Sequence, residues 1–129
     1  MRERQGSTPG GGGLRFRIAG LASKSQATLT ELWDAGAELL AHPGLGLVYA
    51  GFALPGPEDP AAADAAFRCT LAVAAAGAGA VLLESAPAWA KQGRDVFGDL
   101  AGALPLSRDL KRRFDPASLL NPGRFAGHL

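Results

Sequence analysis

This chain is poor in the residues that usually carry chemistry. Its 129 residues include one cysteine, one methionine, one tyrosine and two histidines. A single thiol, Cys69, cannot close an internal disulfide, which points to a reducing compartment. Cys69 lies in a helical pattern beside Phe67 and Leu71 and reads as a structural residue. No cluster of metal donors and no obvious nucleophile stands out. No run of eighteen apolar residues occurs, so no transmembrane helix is expected. The opening "MRERQGSTPGGGG" has no apolar core of the kind a secretion signal needs. Its glycines favour an open chain, so residues 1–13 read as a flexible leader. No strand precedes "TPGGGG" and no helix follows closely, which argues against a phosphate loop. A formal net charge of +1 gives no basic face for nucleic acid. These absences together suggest a cytoplasmic chain.

What is present is one domain's worth of alternating patterns. "LRFRIAG" (14–20) sets Leu14, Phe16 and Ile18 against Arg15 and Arg17, a strand with one apolar and one basic face. Ser23 and Gln26 have capping-box spacing, followed by a stripe of Leu29, Leu32, Trp33 and Leu40. "ELLAHPGLGLVYAGFA" (38–53) reads either as a helix end followed by one strand, or as a hairpin. Pro43-Gly44-Leu45-Gly46 between β-rich runs favours the hairpin. Its second strand is apolar on both faces, which suggests cover on both sides. Asp59 and Pro60 start a helix as N-cap and first residue, and Gly77 and Gly79 stop it. "AVLLES" (80–85) is a short strand, and 86–103 is irregular, anchored by Trp89 and Phe97. A last helix starts near Pro105, places Leu106, Leu110 and Phe114 on one face, and stops at Asp115 before a proline.

The order β-α-β-β-α-β predicts an α+β, ferredoxin-like split βαβ sandwich with a C-terminal helix and tail. Both crossover helices then lie on one sheet face. Only the tail and 86–103 are left to cover the other, so a partner or further domain is expected there.

The ending "LKRRFDPASLLNPGRF" (110–125) carries the most specific signal. Asp115 can cap a short helical turn. Asn121-Pro122-Gly123 fits a type II turn, with Gly123 supplying positive φ. Leu119 and Leu120 read as anchors between them. The pattern closely resembles the C-terminal signature of FAD-linked oxidases of the vanillyl-alcohol oxidase / p-cresol methylhydroxylase type. In that family a lysine- or arginine-rich helix leads into Phe-Asp-Pro and then Asn-Pro-Gly-Lys/Arg. Lys111, Arg112, Phe114, Asp115, Pro116, Leu120, Asn121, Pro122, Gly123 and Arg124 fit. "VLLESAPAWAKQGRDVFG" (81–98) is similar to the segment before that helix in the branch of FAD-binding glycolate oxidase subunits. The resemblance covers roughly residues 14–129 and leaves out an N-terminal FAD-binding domain.

The resemblance implies a C-terminal cap domain of an FAD-dependent oxidoreductase acting on a 2-hydroxy acid such as glycolate. FAD would be held by a separate domain or subunit, other oxidase subunits could join, and the chain would not be active alone. Peripheral association with the inner membrane within a complex is compatible with this. The tail residues Asn121, Gly123 and Arg124 would face the FAD domain. Many 2-hydroxy-acid members carry Gly-His-x-Gly-Asp-Gly-Asn-x-His in the hairpin. Here "AHPGLGLVY" keeps His42, Gly44 and Gly46, but puts Leu45, Leu47 and Tyr49 at the aspartate, asparagine and second histidine positions. One histidine makes no metal site. His42 reads as a turn-edge residue or a pocket residue, and Tyr49 as a packed strand residue or a pocket residue. Arg15 and Arg17 read as a solvated edge, or as a fork for a substrate carboxylate. The rival classes are a non-catalytic ferredoxin-like interaction module and a truncated gene product.

Apolar residues make up 47% of the chain, but much of this is alanine, which buries little area per residue. The isolated chain is therefore expected to melt cooperatively below about 70 °C. Circular dichroism checks this, and a higher midpoint would show a core stronger than alanine content allows.

Overall fold

A computed structural model describes residues 13–56, 58–98 and 102–129. Of the leader expected over 1–13, all but Gly13 lies outside the described residues, and so does most of the glycine run. Four strands form one antiparallel sheet: β1 (Leu14–Ala19), β2 (Glu38–His42), β3 (Leu47–Phe52) and β4 (Ala80–Ser85). The spatial order is β2-β3-β1-β4. The helices are α1 (Ser25–Asp34), α2 (Pro60–Ala76), a single turn α3 (Ala88–Lys91) and α4 (Leu104–Phe114). The class is α+β, and β3 lies between β1 and β2, so the first βαβ unit is split.

Each strand owes its place to its alternation. Leu14, Phe16 and Ile18 of β1 point into the core, as do Val48, Ala50 and Phe52 of β3, and Val81 and Leu83 of β4. Phe16 is 0% exposed and sits at the centre. Its ring meets Phe67 of α2 edge-on at 5.0 Å and Phe52 at 6.0 Å. Ala63, Ala66 and Ala74 of α2 are buried with them, and their small side chains let the helix lie close to the sheet.

Local chemistry explains the elements that the sequence predicts well. Asp59 caps α2, its Oδ1 accepting from the Ala62 amide at 2.9 Å, with Pro60 first in the helix. The hairpin forms with Pro43–Leu45 as a 3-10 turn. Gly46 closes that turn at φ +64, where an added Cβ would run into the Gly20 carbonyl oxygen. The Gly20 amide donates to the Gly46 carbonyl at 2.8 Å, so hairpin and β1 end are locked together.

Three expectations need correction. The Ser23–Gln26 capping box does not form: Ala22–Lys24 is a 3-10 turn, and Lys24, without a side-chain bond, precedes α1. The Ser25 hydroxyl donates instead to the Pro43 carbonyl at 3.3 Å, so a long-range contact fixes the helix start. The buried face of α1 is Ser25, Thr28 and Leu32, while Trp33 is 69% exposed and Leu40 belongs to β2. Finally, 86–103 is not wholly irregular: it holds the single turn α3, and 86–98 packs on the core side rather than on the second sheet face. Ala90 is buried in the main core with Trp89 and Val96 against it, and Arg94 and Asp95 share a groove with Phe67 and Leu71 of α2. Among the described residues, the second face of the sheet stays open.

Two substitutions test this arrangement. Phe16→Ala is expected to cost about 3–5 kcal/mol in denaturant unfolding, the range for truncating a buried phenylalanine. Gly46→Ala combines positive φ with a backbone clash and is expected to cost more than about 1 kcal/mol. Near-wild-type midpoints for both would show that the hairpin and core are packed differently.

Candidate functional site

The sequence-predicted residues fall into two places. The first is the open sheet face. Alternation puts Arg15 and Arg17 of β1, His42 of β2, Tyr49 of β3 and Glu84 of β4 on it. Arg17 stands opposite Tyr49 across one ladder and opposite Leu82 across the other. The β1–β4 register slips between Arg15 and Phe16. The slip takes up Glu84, whose carboxylate reaches both guanidiniums, at 3.9 Å from Arg15 Nε and 3.8 Å from Arg17 Nε. Both pairs are partly exposed, so their contribution to stability is small. Two cations share one carboxylate, which leaves guanidinium donors over for a ligand. The His42 and Tyr49 rings meet edge-on at 6.5 Å. Among the described residues, no three His, Cys, Asp or Glu side chains gather where they could hold a metal ion.

The second place is the C-terminal tail. Asp115 opens a single turn that does not continue as a helix. The Ser118 amide donates to the Asp115 carbonyl at 3.0 Å, and Ser118 lies at φ +51. The Asp115 carboxylate is buried, and it accepts from the Leu119 amide at 2.8 Å and the Leu120 amide at 2.9 Å. Lys111, one turn back on α4, donates to the same carboxylate at 2.5 Å and to the Leu120 carbonyl at 2.6 Å. The Lys111 ammonium, and then the Leu120 and Leu119 amides, hold the Asp115 carboxyl below the usual carboxylate range. Next comes the expected turn. The Arg124 amide donates to the Asn121 carbonyl at 3.2 Å, with Gly123 at φ +71 as a type II turn requires.

The end of the tail is tied back by a residue the sequence did not single out. Asp95 accepts from the Gly127 amide at 2.6 Å and from the Phe97 amide at 2.9 Å. Ala126 is fully buried, and the Phe97 and Phe125 rings lie 5.2 Å apart. Leu119 and Leu120, expected as anchors, are 79% and 64% exposed. Their backbone holds the loop and their side chains face outward. No residue of α4 is buried, and Leu106, Leu110 and Phe114 all stand in solvent. α4 and the tail frame a recess of about 590 Å³ lined by Leu110, Phe114, Leu120, Arg124 and Phe125. On the other side Arg108, Arg112, Ser118, Pro122 and Gly123 line a groove of about 520 Å³.

Asn121, Gly123 and Arg124 thus sit in the tail beside α4, away from the sheet residues Arg15, Arg17, His42 and Tyr49. Lys111 and Glu84 were missed as structural partners. The i,i+4 spacing of Lys111 and Asp115 was a visible signal, whereas the slip that places Glu84 was not. No helix among the described residues is long and apolar enough to cross a membrane. No family model matches the chain, and no curated protein or solved structure shows significant similarity to it.

The clamp predicts a pH dependence. The folded pKa of Asp115 is lowered, so its contribution is complete above the ordinary carboxylate value of about 4. It is lost as pH falls through the lowered folded value. Asp115→Asn should speed exchange of the Leu119 and Leu120 amides about tenfold or more near neutral pH. The global melt should shift little, because no residue of α4 belongs to the buried core. Hydrogen exchange corrected for intrinsic rates measures this, and unchanged protection would remove the clamp from the account.

Proposed function

We propose that this chain is the C-terminal cap domain of an FAD-linked oxidoreductase, of the glycolate oxidase type, acting on a 2-hydroxy acid. One observation carries the reading. The residues of the oxidase-like signature, Phe114 to Arg124, build a loop held by Asp115 and Lys111, while the apolar side chains around it point to solvent. A segment this well fixed by its backbone, and this exposed by its side chains, suits docking onto another domain.

FAD is not placed on this chain. The flavin belongs to a separate domain or subunit, which would supply the hydride chemistry when bound. This chain's part is positional. Asn121, Gly123 and Arg124 face the flavin domain, and Arg15 and Arg17 offer guanidinium forks to a carboxylate at the open sheet face, with His42 and Tyr49 beside them. The expected setting is cytoplasmic, or peripheral to the inner membrane within a complex.

The isolated chain should purify without flavin absorbance. Produced together with an FAD-binding polypeptide from its own genomic neighbourhood, it should form a yellow complex. That complex should reduce an artificial dye with glycolate or another 2-hydroxy acid. Stoichiometric FAD in the isolated chain, or a complex free of flavin, would overturn the reading.

A further inference from the structure

The exposed apolar side chains of α4 and the tail do not lie on a neutral surface. Leu106, Leu110 and Phe114 recur every four residues and make one stripe along α4. Leu120 and Phe125 continue it across the recess. Arg113 stands three residues beyond Leu110, at one border of the stripe, and Arg124 lines the recess at the other.

The acidic residues of this region are already engaged. Asp115 is held by Lys111, and Asp109 pairs with Arg112. Arg108, Arg113 and Arg124 have no ion-pair partner among the described residues. The recess, which the Lys111–Asp115 pair and Leu129 also line, therefore has an apolar floor with Arg124 at one edge and Arg113 bordering the stripe beyond it. We propose that it takes a protein segment presenting an apolar ridge bordered by carboxylates. This deepens the cap-domain reading and rests on it in one respect: the flavin-binding polypeptide is the expected owner of that segment.

Charge decides against a second copy of this chain. Two such faces brought together would set Arg113 and Arg124 against their own counterparts, a like-charge contact that disfavours association. Shape decides against a bilayer. α4 has 11 residues and is about 16 Å long, and its stripe borders a recess rather than a convex face. The Asp115 clamp fixes that recess in place. A lipid surface suits a helix that can lie flat in the interface, whereas a fixed recess suits a protruding side chain. Carboxylates on the incoming segment would steer it and fix its register.

The test uses the full chain and three synthetic probes. The first is a helical peptide with leucines on one face and glutamates at both flanks. The second is the same peptide with lysines in place of glutamates. The third is vesicles of phosphatidylcholine with phosphatidylglycerol. Fluorescence anisotropy is expected to show the glutamate peptide binding at least tenfold more tightly than the lysine peptide at low salt. The gap should shrink as salt screens Arg113 and Arg124. The double variant Arg113→Glu with Arg124→Glu should reverse the preference. Leu110→Gln should weaken both peptides alike without changing the circular dichroism spectrum.

Equal affinity for the two peptides overturns the proposal. Saturable vesicle binding with no peptide binding also overturns it and assigns the face to lipid. A dimer in light scattering that Leu110→Gln dissolves overturns it in favour of a second copy. A clear glutamate preference without any flavin-binding companion would leave the surface standing and remove the flavin reading. A yellow, active complex with no such preference would do the reverse.

Discussion

Everything in this chain depends on the one-sided packing of its sheet around Phe16. β1 is a central strand, paired with β3 on one side and β4 on the other, so its side chains set the character of both faces. Its inward side chain Phe16 holds Phe52 and Phe67 edge-on, contacts worth about 0.5–1.5 kcal/mol each beyond area burial. Its outward side chains are arginines. With α1 and α2 both on the Phe16 side, the alternation that builds the core also leaves Arg15 and Arg17 in the open. A slip of one residue in β1 would exchange the two sets, so core and candidate site are specified together.

The C-terminal region is held by different physics. α4 contributes no residue to the buried core, and the tail keeps its shape mainly through the carboxylates of Asp115 and Asp95. Hydrogen bonds to charged acceptors are directional and strong for their size. They therefore fix the backbone with little core around it beyond Ala126 and the Phe97–Phe125 contact. Such a segment can open locally while the sheet stays intact. It also leaves its apolar side chains free for another surface. A tail held by hydrophobic packing could not have done this, because turning these leucines inward would have consumed the face that docking needs.

Much of the fold was legible because the deciding interactions are local. Asp59-Pro60 starts α2, Pro43 to Gly46 turns the hairpin, and Asn121-Pro122-Gly123 turns the tail, each through backbone angles that the residue itself prefers. The errors have the opposite cause. Ser23 lost its capping role because the start of α1 is set by Pro43, eighteen residues from Ser25. Trp33 read as core because its spacing from Leu29 is helical, but the buried side of α1 runs through Ser25 and Thr28. Asp115 opens one turn and its carboxylate takes the Leu119 and Leu120 amides, but Ser118 takes a left-handed angle and no helix follows. For the candidate site, Arg15 and Arg17 were visible in the alternation. Glu84 was not, since it joins them only through an irregularity in register that no periodicity reports.

Net charge was the least informative quantity, for a related reason. A formal value of +1 over 129 residues argues correctly against a broad basic surface, but it averages over pairing. In the last helix and tail the two aspartates are engaged by Lys111 and Arg112, and Arg113 and Arg124 border a stripe of exposed leucine and phenylalanine. What a partner meets is the charge left after internal pairing, arranged around apolar area. That quantity follows from which carboxylates the fold has already used. A nearly neutral chain can thus present a locally cationic, apolar face, and the Asp115 clamp both shapes that face and removes the nearest negative charge from it.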